Sequence, residues 1–112
     1  MIEIEIVMED DGTLRACKAL GHAGTGKVGT DIVCAAVSVL IRTAYGTLSN
    51  RNGISVRYGA PEPGNFWLEV DYNADGKNFL FAAGAFLIEG LRSVAQEFPR
   101  NCKLNISTLR RT

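Results

Sequence analysis

A nearly unbroken apolar run constrains this chain more than any other feature. Within Ile32–Ile41 only Ser38 is conventionally polar. Asp31 precedes the run and belongs to the residue types that cap helix N-termini. The pattern predicts a helix over about Ile32–Tyr45 that begins near Thr30 or Asp31, since threonine is also a capping residue type. A helix that is apolar on all sides needs more than one covering partner, such as a sheet on one side and a second helix or subunit on the other.

The segment before this run carries the residues with the strongest chemical character. Residues 21–29 contain four of the twelve glycines and His22, the only histidine. With Asp31 as the cap, Cys34 would lie in the first helical turn, where the helix dipole favours a thiolate. A nucleophilic cysteine also needs a base, and His22 is the only imidazole available. The pattern therefore predicts a catalytic pair of Cys34 and His22.

Two neighbouring polar residues are candidate supporting groups. Asp31 could cap the helix, or it could accept a hydrogen bond from His22 and fix its tautomer. These two roles compete for one carboxylate, and the sequence leaves both open. Ser38 lies four residues after Cys34 on the same helix face, within reach of the sulfur. Purely structural roles are the alternative, since cysteine packs as a small hydrophobe and serine bonds to its own helix.

Three other site patterns are weaker. Residues 24–29 match G-x-G-x-x-G, but the chain is too short for the further βαβ units of a dinucleotide-binding fold. Residues 21–27 match G-x-x-x-x-G-K, but Val28 follows where a phosphate-binding loop needs Ser or Thr. A zinc site would have to combine four dispersed residues without a C-x-x-C pair, namely Cys17, His22, Cys34 and Cys102. We therefore expect no metal and no cofactor.

These residues carry a family resemblance. The order Gly21-His22-Ala23-Gly24, then Gly29, then the run D-I-V-C-A-A-V-S from Asp31 to Ser38 resembles the signature of the ribosomal-processing cysteine proteases called Prp. The resemblance extends over the whole chain. It implies His22 as the catalytic histidine and Cys34 as the nucleophile. It further implies supporting positions at Asp31 and Ser38 and a hinge at Gly21. The glycine-rich substrate loop would contain Gly24, Gly26 and Gly29.

The resemblance also implies a substrate and an assembly. It implies an endopeptidase that removes a short N-terminal extension from a large-subunit ribosomal protein, and a homodimer. One alternative from the residues alone is a non-catalytic ribosome-associated binding domain in which Cys34 is a core residue. Another is a redox protein in which Cys17 or Cys102 resolves an oxidised Cys34.

Composition limits the remaining classes. The 112 residues suit one domain, 1–112, and 46% of them are hydrophobic, enough to form a core. Twelve basic and twelve acidic residues cancel, which disfavours a dedicated nucleic-acid binder. The N-terminus lacks a signal-peptide pattern, and the longest apolar run is too short to span a bilayer. Three cysteines without regular spacing favour a reducing compartment, so we expect a cytoplasmic protein without direct nucleic-acid or membrane contact.

Hydrophobic periodicity predicts the rest of the fold. Residues alternating with period two predict five strands. A second helix is expected over Lys77–Phe98, and its small-residue run Ala82–Ala85 would let the first helix approach closely. Residues 59–65, with two prolines and two glycines, are expected to form a loop. The predicted fold is an α+β two-layer sandwich of order ββαββαβ, with a mainly antiparallel five-stranded sheet and both helices on one face. Trp67 is placed on the open face, half-covered by neighbours or in contact with a substrate or second subunit.

Overall fold

A computed structural model describes residues 1–21, 28–62 and 64–109, with the backbone alone for 28–31. The elements follow the predicted order ββαββαβ. They are β1 (Ile2–Glu9), β2 (Leu14–Leu20), α1 (Val28–Leu48), β3 (Ile54–Glu62), β4 (Asn65–Tyr72), α2 (Lys77–Glu97) and β5 (Cys102–Leu109).

The strands form one sheet in the order β3-β4-β2-β1-β5. Neighbours are antiparallel except β1 and β5, which run parallel. The alternating start of β1 buries Ile2, Ile4 and Ile6 under the helices and leaves Glu3 and Glu5 exposed. The two-layer α+β prediction, with both helices on one face of a mainly antiparallel sheet, is confirmed.

α2 covers the sheet with one apolar stripe. Its buried residues recur at helical spacing and are Leu80, Gly84, Leu87, Ile88 and Leu91. By length and composition α2 is the one helix in the described ranges that could cross a membrane, a property that the sequence reading missed. Only 28% of this segment is buried, so α2 packs on the domain through one stripe and leaves the rest of its surface exposed.

The small residues of α2 do not all have the expected neighbour. A Cβ on Gly84 would lie 2.8 Å from Cβ of Leu14 in β2. This glycine therefore allows α2 to pack closely on the sheet, and not on the first helix. The close approach of the helices occurs instead at Gly90, where an added Cβ would lie 3.0 Å from Cδ2 of Leu40 in α1. The predicted contact between Ala82–Ala85 and the first helix is therefore wrong at Gly84.

The predicted loop over residues 59–65 is also wrong. β3 continues to Glu62 and β4 begins at Asn65, so the connection is a tight turn in which Gly64 has a φ of +79°. Proline is tolerated at Pro61 because β3 is an edge strand, and a register shift between Gly59 and Glu62 accommodates the irregularity.

Trp67 explains why the edge strand has a glycine. Gly59 is its cross-strand partner, and a Cβ on that glycine would lie 2.4 Å from the indole Nε1. The indole therefore lies directly against the backbone of β3, on the face of the sheet opposite the helices. Trp67 is half-buried there, and its contact with a substrate or a second subunit stays a prediction.

Candidate active site

The candidate site lies at one end of the sheet, where the chain leaves β2. The backbone N–H of Gly21 donates to the carbonyl of Gly64 over 2.9 Å, and Leu20 pairs with Asn65. The next residue is the candidate base His22, which lies outside the described residues, as do Gly24 and Gly26. A cavity of about 540 Å³ opens at this end of the sheet, and its described lining consists of Met1, Glu3, Leu20, Gly21, Glu62, Gly64 and Asn65.

The residue type at position 21 is restricted to glycine by a close approach of the backbone to β1. A Cβ at this position would lie 2.5 Å from Cγ1 and 2.9 Å from Cα of Ile2. The second contact is with main-chain carbon, so no side-chain rotation relieves it. The structure thus gives a steric reason for glycine immediately before His22, whereas the expected hinge role stays a prediction.

We expect Gly21→Ala to lower both stability and activity. The added methyl forces β1 and the end of β2 apart, and overpacking of this kind costs about 1–3 kcal/mol. The displaced segment leads directly into His22, so peptide cleavage should fall by about tenfold or more, since small misplacements of catalytic groups reduce rates strongly. Urea unfolding and kcat/KM measure the two effects. Gly46→Ala is the matched control, because no atom lies within 4 Å of a Cβ at that position. Equal behaviour of the two variants would contradict the steric account.

Cys34 is half-buried in α1 and packs against the core. α1 begins at Val28, so Cys34 is its seventh residue and not a first-turn residue. The helix therefore begins two to three residues before the predicted start at Thr30 or Asp31. The helix dipole acts mainly within the first turn, so it does not explain an activated thiol at Cys34. Activation would have to come from a neighbouring base.

The earlier helix start also changes the positions around Cys34. Asp31 is the fourth residue of α1, so it does not occupy the N-cap position. Gly29 belongs to the helix and not to the predicted substrate loop. Ser38 is half-buried one turn beyond Cys34 on the same side of the helix.

The other two thiols are buried in the sheet. Burial raises the pKa of Cys17 to about 12 and also raises the pKa of Cys102. Cys17 pairs with Ile6 of β1 and Cys102 pairs with Ile2, so they lie on strands separated by β1 and four residues apart along it. This separation prevents them from sharing a metal. In the described part of the chain, no group of three potential ligands could hold a metal ion.

The sequence reading missed the residues of the cavity beside Gly21. Glu3, Glu62 and Asn65 are distant in sequence and line one cavity because β1, β3 and β4 each have an end at the same side of the sheet. The alternation of β1 predicts that Glu3 is exposed. That Glu62 lines the same cavity depends on the strand order and on the extension of β3.

Known proteins share this fold and this sequence pattern. The family described as Cysteine protease Prp matches residues 1–103. The ribosomal processing cysteine protease Prp of Staphylococcus aureus is 28% identical over 110 residues, covering 94% of this chain and 98% of that protein. The crystal structure of SMU.848 from Streptococcus mutans has a TM-score of 0.80 at 25% identity, covering 97% of this chain and 96% of the other.

Two structures of the S. aureus protease have the same fold. One is described as a complex with a substrate peptide and has a TM-score of 0.79 at 20% identity, covering 96% of this chain and all of the other. The second contains a covalently linked product peptide, with a TM-score of 0.75 at 22% identity and the same coverage.

The family match and the S. aureus relative define the class of this protein as a cysteine protease. The chain belongs to the Prp family of cysteine proteases.

Proposed function

We propose that this protein is a ribosomal processing endopeptidase that removes a short N-terminal extension from a large-subunit ribosomal protein. The observation that carries the proposal is the half-buried Cys34 on α1, the one thiol of three that is not fully buried. The S. aureus relative is named for ribosomal processing, and its structure with a covalently linked product peptide supports a covalent mechanism.

The proposed reaction uses Cys34 and His22. His22 takes the proton of the thiol, and Sγ of Cys34 attacks the carbonyl carbon of the scissile bond. The C–N bond then breaks, His22 donates the proton to the leaving amine, and a thioester remains on Cys34. His22 next removes a proton from water, which attacks the thioester and releases the carboxylate and the thiol. No metal or cofactor takes part in these steps.

Asp31 and Ser38 are proposed as supporting groups. For Asp31 the proposed role is to accept a hydrogen bond from His22 and so fix its tautomer. Ser38 lies one turn from Cys34, close enough to interact with groups around the sulfur.

A cytoplasmic homodimer is part of the same proposal. The helical layer leaves large apolar side chains exposed on both helices, namely Ile32, Val39, Phe81 and Phe86, the last of them 76% exposed. Apolar surface of this kind favours association with a second subunit. Three free cysteines suit a reducing compartment.

Thiol labelling of the native protein tests the nucleophile. We expect iodoacetamide at pH 7.5 to modify Cys34 alone, because burial hinders ionisation of Cys17 and Cys102. Peptide mass mapping identifies the labelled residue, and His22→Ala should slow the labelling of Cys34 several-fold. Labelling of Cys34 that requires denaturant would contradict the proposal, as would labelling of all three thiols at similar rates.

A further inference from the structure

The two edges of the sheet differ in how they are protected. β3 forms one edge and β5 forms the other. β3 carries Pro61 and a register shift between Gly59 and Glu62, two features that discourage the addition of a further strand. β5 has neither feature, because it pairs with β1 residue for residue over its whole length, and its one charged side chain is Lys103. The backbone of β5 is therefore the less protected edge of this sheet.

Apolar side chains are exposed along the β5 edge. The last five residues of the strand are all exposed, including Ile106 at 39% and Leu109 at 41%. Ile106 pairs with Ile6, which is fully buried under the helices, so Ile106 lies on the helix side of the sheet where the helical cover ends. An unprotected apolar edge of this kind is a template for pairing with another chain.

α2 adds an exposed aromatic side chain on the same side of the domain. α1 packs beside β3, whereas α2 packs beside β5. Gly90 of α2 faces α1, because a Cβ there would lie 3.0 Å from Cδ2 of Leu40. Phe81 lies nine residues earlier, about two and a half turns, so it projects from the opposite flank of α2. This flank is the one nearer to the β5 edge, and Phe81 is 44% exposed on it.

The apolar part of the edge is remote from the candidate active site. Ile106 pairs with Ile6, four residues along β1 from Ile2, whose backbone approaches Gly21. At roughly 3.3 Å per residue, this separation is about 13 Å along the strand. β5 is also two strands away from β2, which leads into His22. A peptide bound at Cys34 would therefore leave Ile106 uncovered.

The β5 edge is complementary to a second copy of itself. An antiparallel arrangement about a twofold axis at Ile106 places the two Ile106 side chains opposite each other on the helix side. In this register Leu104 faces Thr108 of the second copy, and Lys103 faces the uncharged Leu109. The strand therefore opposes apolar groups at its centre and brings no like charges together, which favours self-pairing.

We propose that β5 pairs antiparallel with β5 of a second copy and joins two five-stranded sheets into one sheet of ten strands. Ile106 lies at the twofold axis, and Phe81 contributes further apolar surface on the helix side. The inference rests on the homodimer of the proposed function and assigns its interface to the sheet edge rather than to the outer surface of the helices.

Sedimentation equilibrium over a range of protein concentrations tests this interface. The wild-type protein should be a dimer, and Ile106→Lys should weaken dimerisation by about 100-fold or more, because it opposes two ammonium groups at the twofold axis. Ser55→Lys is the matched control, since it adds the same charge at an exposed position of the other edge strand. It should change the dissociation constant by about twofold at most, because remote surface charges are screened.

Disulfide trapping tests the register without adding a charge. Opposed residues of antiparallel strands have Cα atoms about 4.5–5.5 Å apart, within the range of a disulfide. In a Cys34→Ala background the remaining native thiols, Cys17 and Cys102, are buried. Ile106→Cys in this background should form a covalent dimer under mild oxidation, whereas Ser55→Cys should not. Mass spectrometry under nonreducing conditions measures the yield.

The outcomes separate this interface from the alternatives. A wild-type dimer that Ile106→Lys leaves intact would overturn the proposal, as would equal trapping of the two cysteine variants. Loss of the dimer in Phe86→Ser alone would also overturn it, because the second copy would then cover the outer surface of the helices. A protein that stays monomeric at all concentrations would overturn both the homodimer and its interface, while peptide cleavage by that monomer would still support the peptidase function.

Discussion

Cys34→Ala is expected to reduce kcat/KM for the processed peptide by about 10⁴-fold or more. The variant lacks the sulfur that forms the acyl intermediate. Loss of such a nucleophile leaves only the small rate enhancement that substrate binding provides. Its free energy of unfolding should stay within about 1 kcal/mol of wild type, because the residue is only half-buried. Steady-state kinetics and urea unfolding give the two values.

Thr43→Ala serves as the control on the same helix, since Thr43 is exposed and lies more than two turns after Cys34. This variant should keep its activity. A Cys34→Ala protein that folds and retains a tenth of wild-type activity would contradict a nucleophilic role for Cys34, and so would equal losses in both variants.

Arg15→Met is expected to destabilise the protein by about 3 kcal/mol. Nη1 of Arg15 donates to Oε2 of Glu9 over 2.8 Å, and the exposed fraction of the Glu9 side chain is only 10%. The same guanidinium donates through Nε to the carbonyl of Val70 and through Nη2 to Asp71. Removing the cation leaves a nearly buried carboxylate without its main charged partner, which typically costs 3–5 kcal/mol. Tyr72, whose hydroxyl donates to Oε1 of Glu9, retains part of the network.

Arg57→Met is the matched control. Arg57 also pairs with Asp71, but its side chain is 52% exposed, so we expect a loss of about 0.5 kcal/mol or less. Urea unfolding followed by the fluorescence of Trp67, the only tryptophan, measures both variants. The combination Glu9→Gln with Arg15→Met should recover part of the lost stability, because no buried charge remains. Equal effects of the two arginine substitutions would contradict the account.

Local patterns predicted the regular elements of the fold. The alternation of Ile2, Ile4 and Ile6 determines the buried face of β1, and the spacing within α2 determines its buried stripe. Gly12, between β1 and β2, has a positive φ of +93°, which glycine adopts readily in tight turns. These features depend on a few neighbouring residues, so they can be recognised in a single sequence.

The errors arose where local rules permit two outcomes. Asp31 is a good N-cap, but acidic residues are also favourable inside the first turn of a helix. Pro61 disfavours a central strand but is tolerated on an edge strand, and the edge position of β3 follows only from the strand order. Gly84 permits a close approach without specifying which element approaches.

The candidate site was predictable only in part. His22 and Cys34 were singled out from a glycine-rich segment before an apolar run, together with a family resemblance. The cavity beside Gly21 was not predicted, because its lining residues come from several strands and not from one stretch of sequence.

Mass spectrometry of a ribosomal-protein N-terminal peptide, incubated with the wild-type protein and with Cys34→Ala, tests the central claim most directly. We predict cleavage at a single bond by the wild-type protein alone, with a transient mass increase on the Cys34 peptide equal to the acyl fragment. Cleavage at the same bond by both proteins would contradict Cys34 as the nucleophile. An intact peptide in both samples, bound equally well by each, would show a binding domain in place of a peptidase.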